Sequence, residues 1–235
     1  GGPLPKVPRA LTLAGIERVR GAFVAAARRA RDAGFEWLEL HFAHGYLAQS
    51  FFSVHANQRS DEYGGDATGR GRFLLETLAA VRAVWPENLP LTARFGVIEY
   101  DGRDEETLAE AIDLTLRMRA EGLDLLNVSV GFSTLAANPP WGPAFLAPVA
   151  ERVRREAEVP VAAAWFIDAP RDAERVVAAG QLDLVMIGKA HLANPHYPYE
   201  LARALRIDRP AWSTLPAPYA HWLASYAGPS TGEAQ

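Results

Sequence analysis

The sequence predicts an α/β protein with a parallel sheet, of the (β/α)8 barrel class. Short apolar runs alternate along the chain with amphipathic segments that have helical spacing. No G-x-G-x-x-G motif follows an apolar run, so the usual dinucleotide signature of the alternative, an open doubly wound sheet, is missing. Polar side chains gather where the runs end, which is typical of the carboxyl ends of barrel strands.

Five apolar runs are the predicted strands. They are nearly continuous in apolar character, as expected for strands that are covered on both faces. They occupy residues 36–42, 91–97, 123–130, 159–165 and 182–188. We expect them to be parallel and adjacent in this order, with their carboxyl ends on one face. A closed barrel has eight strands, so these five would form only part of one.

Amphipathic segments between the runs predict the helices. A first helix at 13–33 has Thr12 as its predicted N-cap and Gly34 as its stop. The other predicted helices are 72–85, 105–122, 143–157, 170–179 and 196–205. We expect residues 1–227 to form one domain and residues 228–235 to be a disordered tail.

Composition excludes several classes of function. The net charge of -4 argues against nonspecific binding of nucleic acid or of anionic membrane. The chain has no cysteine, so disulfides and thiolate chemistry are excluded within it. No apolar run approaches the ~20 residues that cross a bilayer, and no signal peptide pattern opens the chain. We therefore expect a cytoplasmic location.

Two histidines lie where the first predicted strand ends. His41 alternates with the apolar positions of this strand, and His44 follows just beyond it, next to Gly45 and Tyr46. The histidines could simply cap backbone carbonyls, or they could hold a ligand oxygen while the tyrosine passes a proton. A metal site would need a third ligand, such as Glu39, and nothing else in the spacing supports one, so no metal is predicted.

Arg94 lies inside the second apolar run. A guanidinium is costly there unless it is paired. Glu99 or Asp101 could supply an ion pair, or the arginine could donate to a ring carbonyl or a developing negative charge on a cofactor. The sequence leaves both alternatives open.

The ends of the last two predicted strands suggest a phosphate site. Barrels often bind phosphate in the loops after strands seven and eight, with backbone N–H groups and a cation. Gly188 permits close approach and Lys189 brings a charge. Trp165 either fills the core or forms an aromatic wall beside that loop.

Longer stretches of the chain resemble a known family. They are "HFAHGYLAQSFFSVHANQRSDEYGG", "ARFGVIEYDGRDEE" and "LDLVMIGKAHLANPH", with "PLPKVPRALT" near the start and "LPAPYAHWLASY" near the end. Together they resemble the Old Yellow Enzyme family of FMN-dependent ene reductases, and within it the xenobiotic reductase A branch. The resemblance covers nearly the whole chain.

This resemblance implies a (β/α)8 barrel with non-covalent FMN that NADH or NADPH reduces. The substrate would be an α,β-unsaturated carbonyl or nitro compound, whose activated C=C bond receives a hydride. His41 and His44 would hold its oxygen, and Tyr46 would donate the proton. A homodimer or a higher homo-oligomer is also implied.

The resemblance implies a set of cofactor and pocket residues as well. Arg94 would lie near the N1/O2 edge of the flavin. The phosphate site would be formed by the backbone of Ala164, Trp165, Phe166, Gly188 and Lys189. Trp165 would be the active-site tryptophan, and Trp222 a C-terminal aromatic that shapes the pocket across a dimer contact.

The chain departs from the family pattern in three ways. First, Lys189 replaces an arginine. Second, Phe166 replaces a glycine, with Asp168 nearby in a phosphate loop. Third, strands one to three of the family barrel have no counterpart, so the five strands would be strands four to eight. With Gly1 as the first residue, we expect the chain to be part of a longer protein and to be inactive, with weak FMN binding, by itself.

Two other hypotheses remain. The chain could be a non-catalytic half-barrel with a weak phosphate site. It could also be a different phosphate-binding barrel, such as an isomerase or an aldolase. Such an enzyme would need a catalytic lysine on a strand. The two lysines of the chain, Lys6 and Lys189, are poor candidates for this role.

Overall fold

The computed structural model describes residues 8–226 and contains a parallel sheet of five strands. The strands are β1 (Leu38–Phe42), β2 (Leu91–Ile98), β3 (Leu125–Val130), β4 (Val161–Ala163) and β5 (Leu184–Val185). Each strand pairs with the next one along the chain. A doubly wound sheet would reverse its strand order at a switch point, whereas the strands of a barrel follow one another as they do here. The predicted order and direction of the strands are therefore confirmed.

Ten helices accompany the sheet within residues 8–226. They are α1 (Leu13–Asp32), α2 (Leu47–Phe52), α3 (Ala67–Arg82), α4 (Asp104–Ala120), α5 (Ala147–Ala157), α6 (Pro170–Ala178), α7 (Lys189–Ala193), α8 (Tyr197–Ala204), α9 (Pro210–Thr214) and α10 (Ala217–Leu223). Within this part of the chain, none of them has both the length and the apolar character that crossing a bilayer requires. Residue 227 and the predicted tail at 228–235 lie outside the described residues.

The ends of the first helix agree with the prediction. Thr12 is its N-cap, and its hydroxyl accepts a hydrogen bond from the Gly15 amide at 3.1 Å. Gly34 follows the helix with a φ of 84°, a left-handed conformation that favours glycine.

Other predicted boundaries were wrong. Helix α3 begins five residues before the predicted 72 because Asp66 caps it, accepting from the Gly69 amide at 2.8 Å. Helix α5 begins four residues after the predicted 143, since Ala144 has a left-handed φ of 55°. Strands β4 and β5 are shorter than predicted: left-handed φ values at Trp165 and Phe166 turn the chain just after β4. Helices α2, α7, α9 and α10 were not predicted.

The sheet has a covered outer face and an inner face that is partly open, at β1 and β5. Leu40 and Phe42 of β1 are buried, and the Phe42 ring lies 6.5 Å from that of Phe23 on α1. The alternate residues, Glu39 and His41, point to the inner face and are exposed. The inner face also carries half-exposed apolar side chains, of which Met186 is an example. The inner face is thus the side on which polar groups can meet a ligand.

A bulge near the end of β2 is held by a buried glutamine. The register between β2 and β3 shifts between Gly96 and Ile98. Gln49 of α2 is fully buried there; its Nε2 donates to the Gly96 carbonyl, and its Oε1 accepts from the Gly96 amide, both at 3.1 Å. The side chain therefore satisfies backbone groups that the bulge would leave unpaired.

Gly96→Ala tests the close packing around this bulge. A Cβ at position 96 would lie 2.4 Å from Gln49 Oε1 and 2.5 Å from the Cα of Gly131. We expect the free energy of unfolding, measured by denaturant titration, to fall by about 1–3 kcal/mol because buried groups must move.

Gly21→Ala is the matched control for this substitution. Gly21 lies in α1 with open space around the position of a Cβ. The same change should there raise the free energy of unfolding by about 0.5–1 kcal/mol, since alanine favours the helix. Equal changes in the free energy of unfolding at positions 96 and 21 would contradict the close packing around the bulge.

Candidate active site

The strand register brings three polar side chains into one row on the inner face. His41 of β1 is opposite Arg94 of β2, and Arg94 is opposite Asn127 of β3. A cavity of about 560 Å³ is lined by Arg94 and Asn127 of this row but not by His41. Its lining comprises Glu39, His44, Arg94, Asn127, Ala164, Trp165, Phe166, Ile167, Asp168, Met186, Ile187, Gly188, Lys189 and Ala190.

The two histidines and the tyrosine form one cluster, of which His44 lines the cavity while His41 and Tyr46 lie outside its lining. The His41 ring lies 5.1 Å from that of His44 and 5.5 Å from that of Tyr46, between centroids. The turn between the histidines and the tyrosine depends on Gly45, which has a φ of 69°. A Cβ on Gly45 would also lie 2.9 Å from the Phe132 carbonyl oxygen. The motif thus folds into a single cluster of donors.

Ser129 holds the His44 ring through a hydrogen bond at Nε2. Its hydroxyl oxygen lies 2.7 Å from His44 Nε2, and the Trp165 indole N–H donates to the same oxygen at 3.5 Å. Because the indole nitrogen can only donate, the Ser129 proton is available to His44 Nε2. This favours the tautomer of His44 with its proton on Nδ1, which is then the nitrogen that can donate to a ligand.

Both histidines favour the neutral form. Burial lowers the pKa of His44 to about 4, and the charges of Arg94 and His41 add to this effect. Burial and then Arg94 also lower the pKa of His41, while Glu39 opposes them. At neutral pH the pair therefore offers uncharged N–H donors.

Arg94 faces the cavity without an ion-pair partner among residues 8–226. Its Nε is buried and has no hydrogen-bond partner within that part of the chain. The two candidate partners are engaged elsewhere: Glu99 accepts from the Ser133 amide at 2.9 Å, and Asp101 pairs with His55. Of the two alternatives left open by the sequence, the ion pair with Glu99 or Asp101 is thus not formed. Burial lowers the pKa of Arg94, and the charge of Glu39 partly offsets this.

Asn127 is a site residue that belongs to the polar strand ends noted in the sequence, but for which the sequence predicted no role. Its Nδ2 donates to Glu39 Oε2 at 3.0 Å, and its buried Oδ1 has no partner within residues 8–226. The available signal was spacing: residues 127 and 129 are polar alternate positions of an otherwise apolar strand. Within the described residues, no group of His, Asp and Glu side chains could hold a metal ion.

The predicted phosphate residues line the far side of the same cavity. They are Ala164, Trp165, Phe166, Gly188 and Lys189. Lys189 begins α7 and is exposed, and Asp168 lines the cavity too. Trp222 is 77% exposed on α10 and does not line the cavity. Its role at a subunit contact stays a prediction.

The turn after β4 is strained. Trp165 and Phe166 have φ values of 75° and 51°, in the left-handed region that is unfavourable for bulky side chains. The Ala144 amide donates to the Phe166 carbonyl at 2.9 Å, which helps to hold the turn. This conformation directs the Trp165 ring towards His44, at 6.0 Å between centroids.

Comparison with known proteins finds several relatives. Residues 4–207 match a family described as NADH:flavin oxidoreductase / NADH oxidase. An NADPH dehydrogenase from Geobacillus thermodenitrificans (strain NG80-2) is 40% identical over 200 residues, which are 85% of this chain and 58% of that protein. The chain thus spans somewhat more than half the length of that curated relative.

Solved structures of two reductases are also similar to this chain. Morphinone reductase has a TM-score of 0.72 at 28% identity, over 85% of this chain and 52% of that one. A 2-naphthoyl-CoA reductase in complex with 2-naphthoyl-CoA has a TM-score of 0.76 at 25% identity, over 83% and 30% of the two chains. The predicted fold class, part of a (β/α)8 barrel, is thereby confirmed.

The strained turn gives a prediction about stability. Phe166→Gly should have a higher free energy of unfolding than Phe166→Ala, by roughly 1–2 kcal/mol, because only glycine lacks the Cβ that a left-handed φ penalises. Denaturant titration of both variants measures the difference.

Leu116 provides the control for this pair. It is partly exposed in the middle of α4. There the order should reverse, with Leu116→Gly less stable than Leu116→Ala by about 1 kcal/mol. If the alanine variant were the more stable one at both positions, Phe166 would not be strained.

Proposed function

Because this chain belongs to the NADH:flavin oxidoreductase / NADH oxidase family, we propose that the protein is an FMN-dependent NAD(P)H oxidoreductase that reduces activated C=C bonds. The Old Yellow Enzyme resemblance is confirmed at the level of the family. The observation that carries the proposal is the cluster of His41, His44 and Tyr46 beside a cavity into which Arg94 points.

The cavity suits FMN in its chemistry. FMN carries a phosphate and a ring with carbonyl acceptors, and the cavity holds two cationic side chains, Arg94 and Lys189. The buried, unpartnered Nε of Arg94 supports a ligand acceptor at this point. Arg94 would hold the carbonyl edge of the ring, and Lys189 with the backbone of residues 164–166 and Gly188 would hold the phosphate. When bound, FMN supplies the two-electron carrier between the nicotinamide and the substrate.

The histidines would hold the oxygen of an α,β-unsaturated carbonyl or nitro compound. Hydride addition at the β-carbon builds negative charge on that oxygen, and two N–H donors that are already in place stabilise it. Tyr46 would give a proton to the α-carbon. The nicotinamide loses two electrons, the C=C bond gains a hydride and a proton, and Tyr46, which is 65% exposed, recovers its proton from water.

A non-catalytic half-barrel with a weak phosphate site is the second candidate. Half-exposed Trp37, Leu184 and Met186 favour it, because an inner face that stays open excludes water poorly. The Asp168 carboxylate, which lines the same cavity as Lys189, also opposes a phosphate. The homo-oligomer and the cytoplasmic location stay predictions.

Paired titrations with FMN and riboflavin test the assigned ends of the cavity. Lys189→Gln should weaken FMN binding roughly fivefold, the equivalent of about 1 kcal/mol for an exposed charge. It should leave riboflavin binding unchanged, since riboflavin lacks the phosphate. Arg94→Gln should weaken both, and quenching of flavin fluorescence gives the dissociation constants.

Asp168→Asn serves as the control of opposite sign. It removes a negative charge near the proposed phosphate and should tighten FMN binding without affecting riboflavin. If inorganic phosphate displaced FMN at its own dissociation constant and riboflavin did not bind, the half-barrel candidate would be favoured instead.

Tyr46→Phe tests the assignment of Tyr46 as the proton donor, in a full-length form of the protein that binds flavin and is active. Acceptor reduction should slow by about 10²–10⁴-fold, the usual worth of a positioned acid. The nicotinamide-consuming half of the cycle should be nearly unchanged, because it does not need that proton. Stopped-flow absorbance follows the two halves separately, and an equal loss in both would refute the role of Tyr46.

A further inference from the structure

Five aromatic side chains form a continuous wall beside His44. The wall consists of Phe132, Trp141, Phe145, Trp165 and Phe166. Trp141 lies at its centre, with ring centroids 5.6 Å from Trp165, 5.2 Å from Phe145 and 6.0 Å from Phe166. It also stacks on Phe132 at 6.2 Å, with an angle of 18° between the ring planes. Sequence reasoning did not single out Trp141.

The wall borders both the histidines and the cavity. The rings of Trp165 and Phe132 lie 6.0 and 6.1 Å from that of His44. Trp165 and Phe166 line the cavity itself. Trp141 is 52% exposed and Phe166 55%, so the wall keeps free aromatic surface that a ligand can cover.

Trp141 is held in place rather than left on a loose loop. The segment 131–146 carries it between β3 and α5, and the Asn138 amide donates to the Tyr100 carbonyl at 2.8 Å. Buried Glu99 accepts from the Ser133 amide near the start of this segment. Two consecutive prolines, 139 and 140, precede the tryptophan and restrict its backbone. A ring that is already positioned loses little entropy when a ligand binds.

We propose that Trp141 is a specificity-determining residue, and that with Trp165 it selects acceptors whose activated double bond is conjugated to an aromatic ring. The inference rests on the proposed function, because the oxygen of such an acceptor is the group that His41 and His44 hold. Indole faces are rich in π electrons, whereas a ring conjugated to a nitro or carbonyl group is electron-poor. Stacking of the two is favourable beyond the area that it buries.

Two nitroalkenes that differ only in their ring test the proposal. The probes are β-nitrostyrene and (E)-(2-nitrovinyl)cyclohexane, which share the nitroalkene but not the π system. The chain has no cysteine that could add to them. Calorimetric titration of the 235-residue chain gives both dissociation constants, and their ratio expresses the aromatic preference.

Trp141→Leu keeps an apolar side chain and removes the π face. It should reduce the preference for β-nitrostyrene by about two- to tenfold relative to wild type, the effect of one aromatic pair. Trp141→Phe should retain most of the preference. Trp212→Leu removes a half-exposed tryptophan on α9, outside the wall, and should leave the ratio unchanged.

Each result decides between outcomes. Equal weakening of both probes by Trp141→Leu would overturn the selection of aromatic acceptors, although the acceptor site would stand. Binding of neither probe to the wild-type chain would overturn the acceptor site and the selection together. Should Trp141→Leu fail to fold, nuclear Overhauser contacts between the Trp141 indole and the phenyl protons of β-nitrostyrene carry the test, and their absence overturns the proposal.

Discussion

The parallel register of β1, β2 and β3 is the constraint on which the site depends. It sets His41, Arg94 and Asn127 side by side on the inner face. A slip of one residue would turn Arg94 into the apolar layer beneath the helices and bring Phe95 to the inner face. Ala93 and Phe95 are fully buried, so the core that stabilises the sheet also fixes the register of the polar row. Stability and site geometry therefore have the same cause.

Arg94 then sets the electrostatics of the row. A guanidinium held half-buried and unpaired within residues 8–226 disfavours a second positive charge nearby, which helps to keep His41 and His44 neutral. The cost of burying the arginine is not recovered inside the described part of the chain, because its Nε lacks a partner there. A ligand with acceptor atoms would recover it. Arg94 thus adds to the effect of burial in keeping the histidines neutral, and it offers the proposed ligand an unpaired donor.

The sequence predicted the parts of this protein that depend on local pattern. Apolar runs predicted all five strands and their order, and polar residues at their ends predicted the cluster of His41, His44 and Tyr46. The clamp formed by Gln49 could not be predicted, because it depends on a bulge between two strands that are distant in sequence. Trp141 was missed for a similar reason: its segment has no periodicity, and its importance comes from neighbours after β4.

The same limit explains why the ends of β4 and β5 were misjudged. Bulky residues rarely adopt a left-handed φ, so nothing in "AAAWFIDAP" predicts that Trp165 and Phe166 both do. His44 and Phe132 share this conformation at the ends of β1 and β3. Each such residue costs about 1–3 kcal/mol, and it persists only where the surrounding structure enforces it.

The strands that hold these strained residues differ in length across the sheet. Strands β2 and β3 have eight and six residues and are almost entirely buried, whereas β4 and β5 have three and two. The strained turn at Trp165 therefore follows one of the two shortest strands of the sheet, where we expect local opening to require the least free energy. Opening there would carry the tryptophan away from Ser129 and His44 while the polar row on β1 to β3 stayed intact. A ligand that contacts the loops after both β4 and β5 would oppose that opening, so binding at the proposed phosphate end would also order the aromatic wall beside His44.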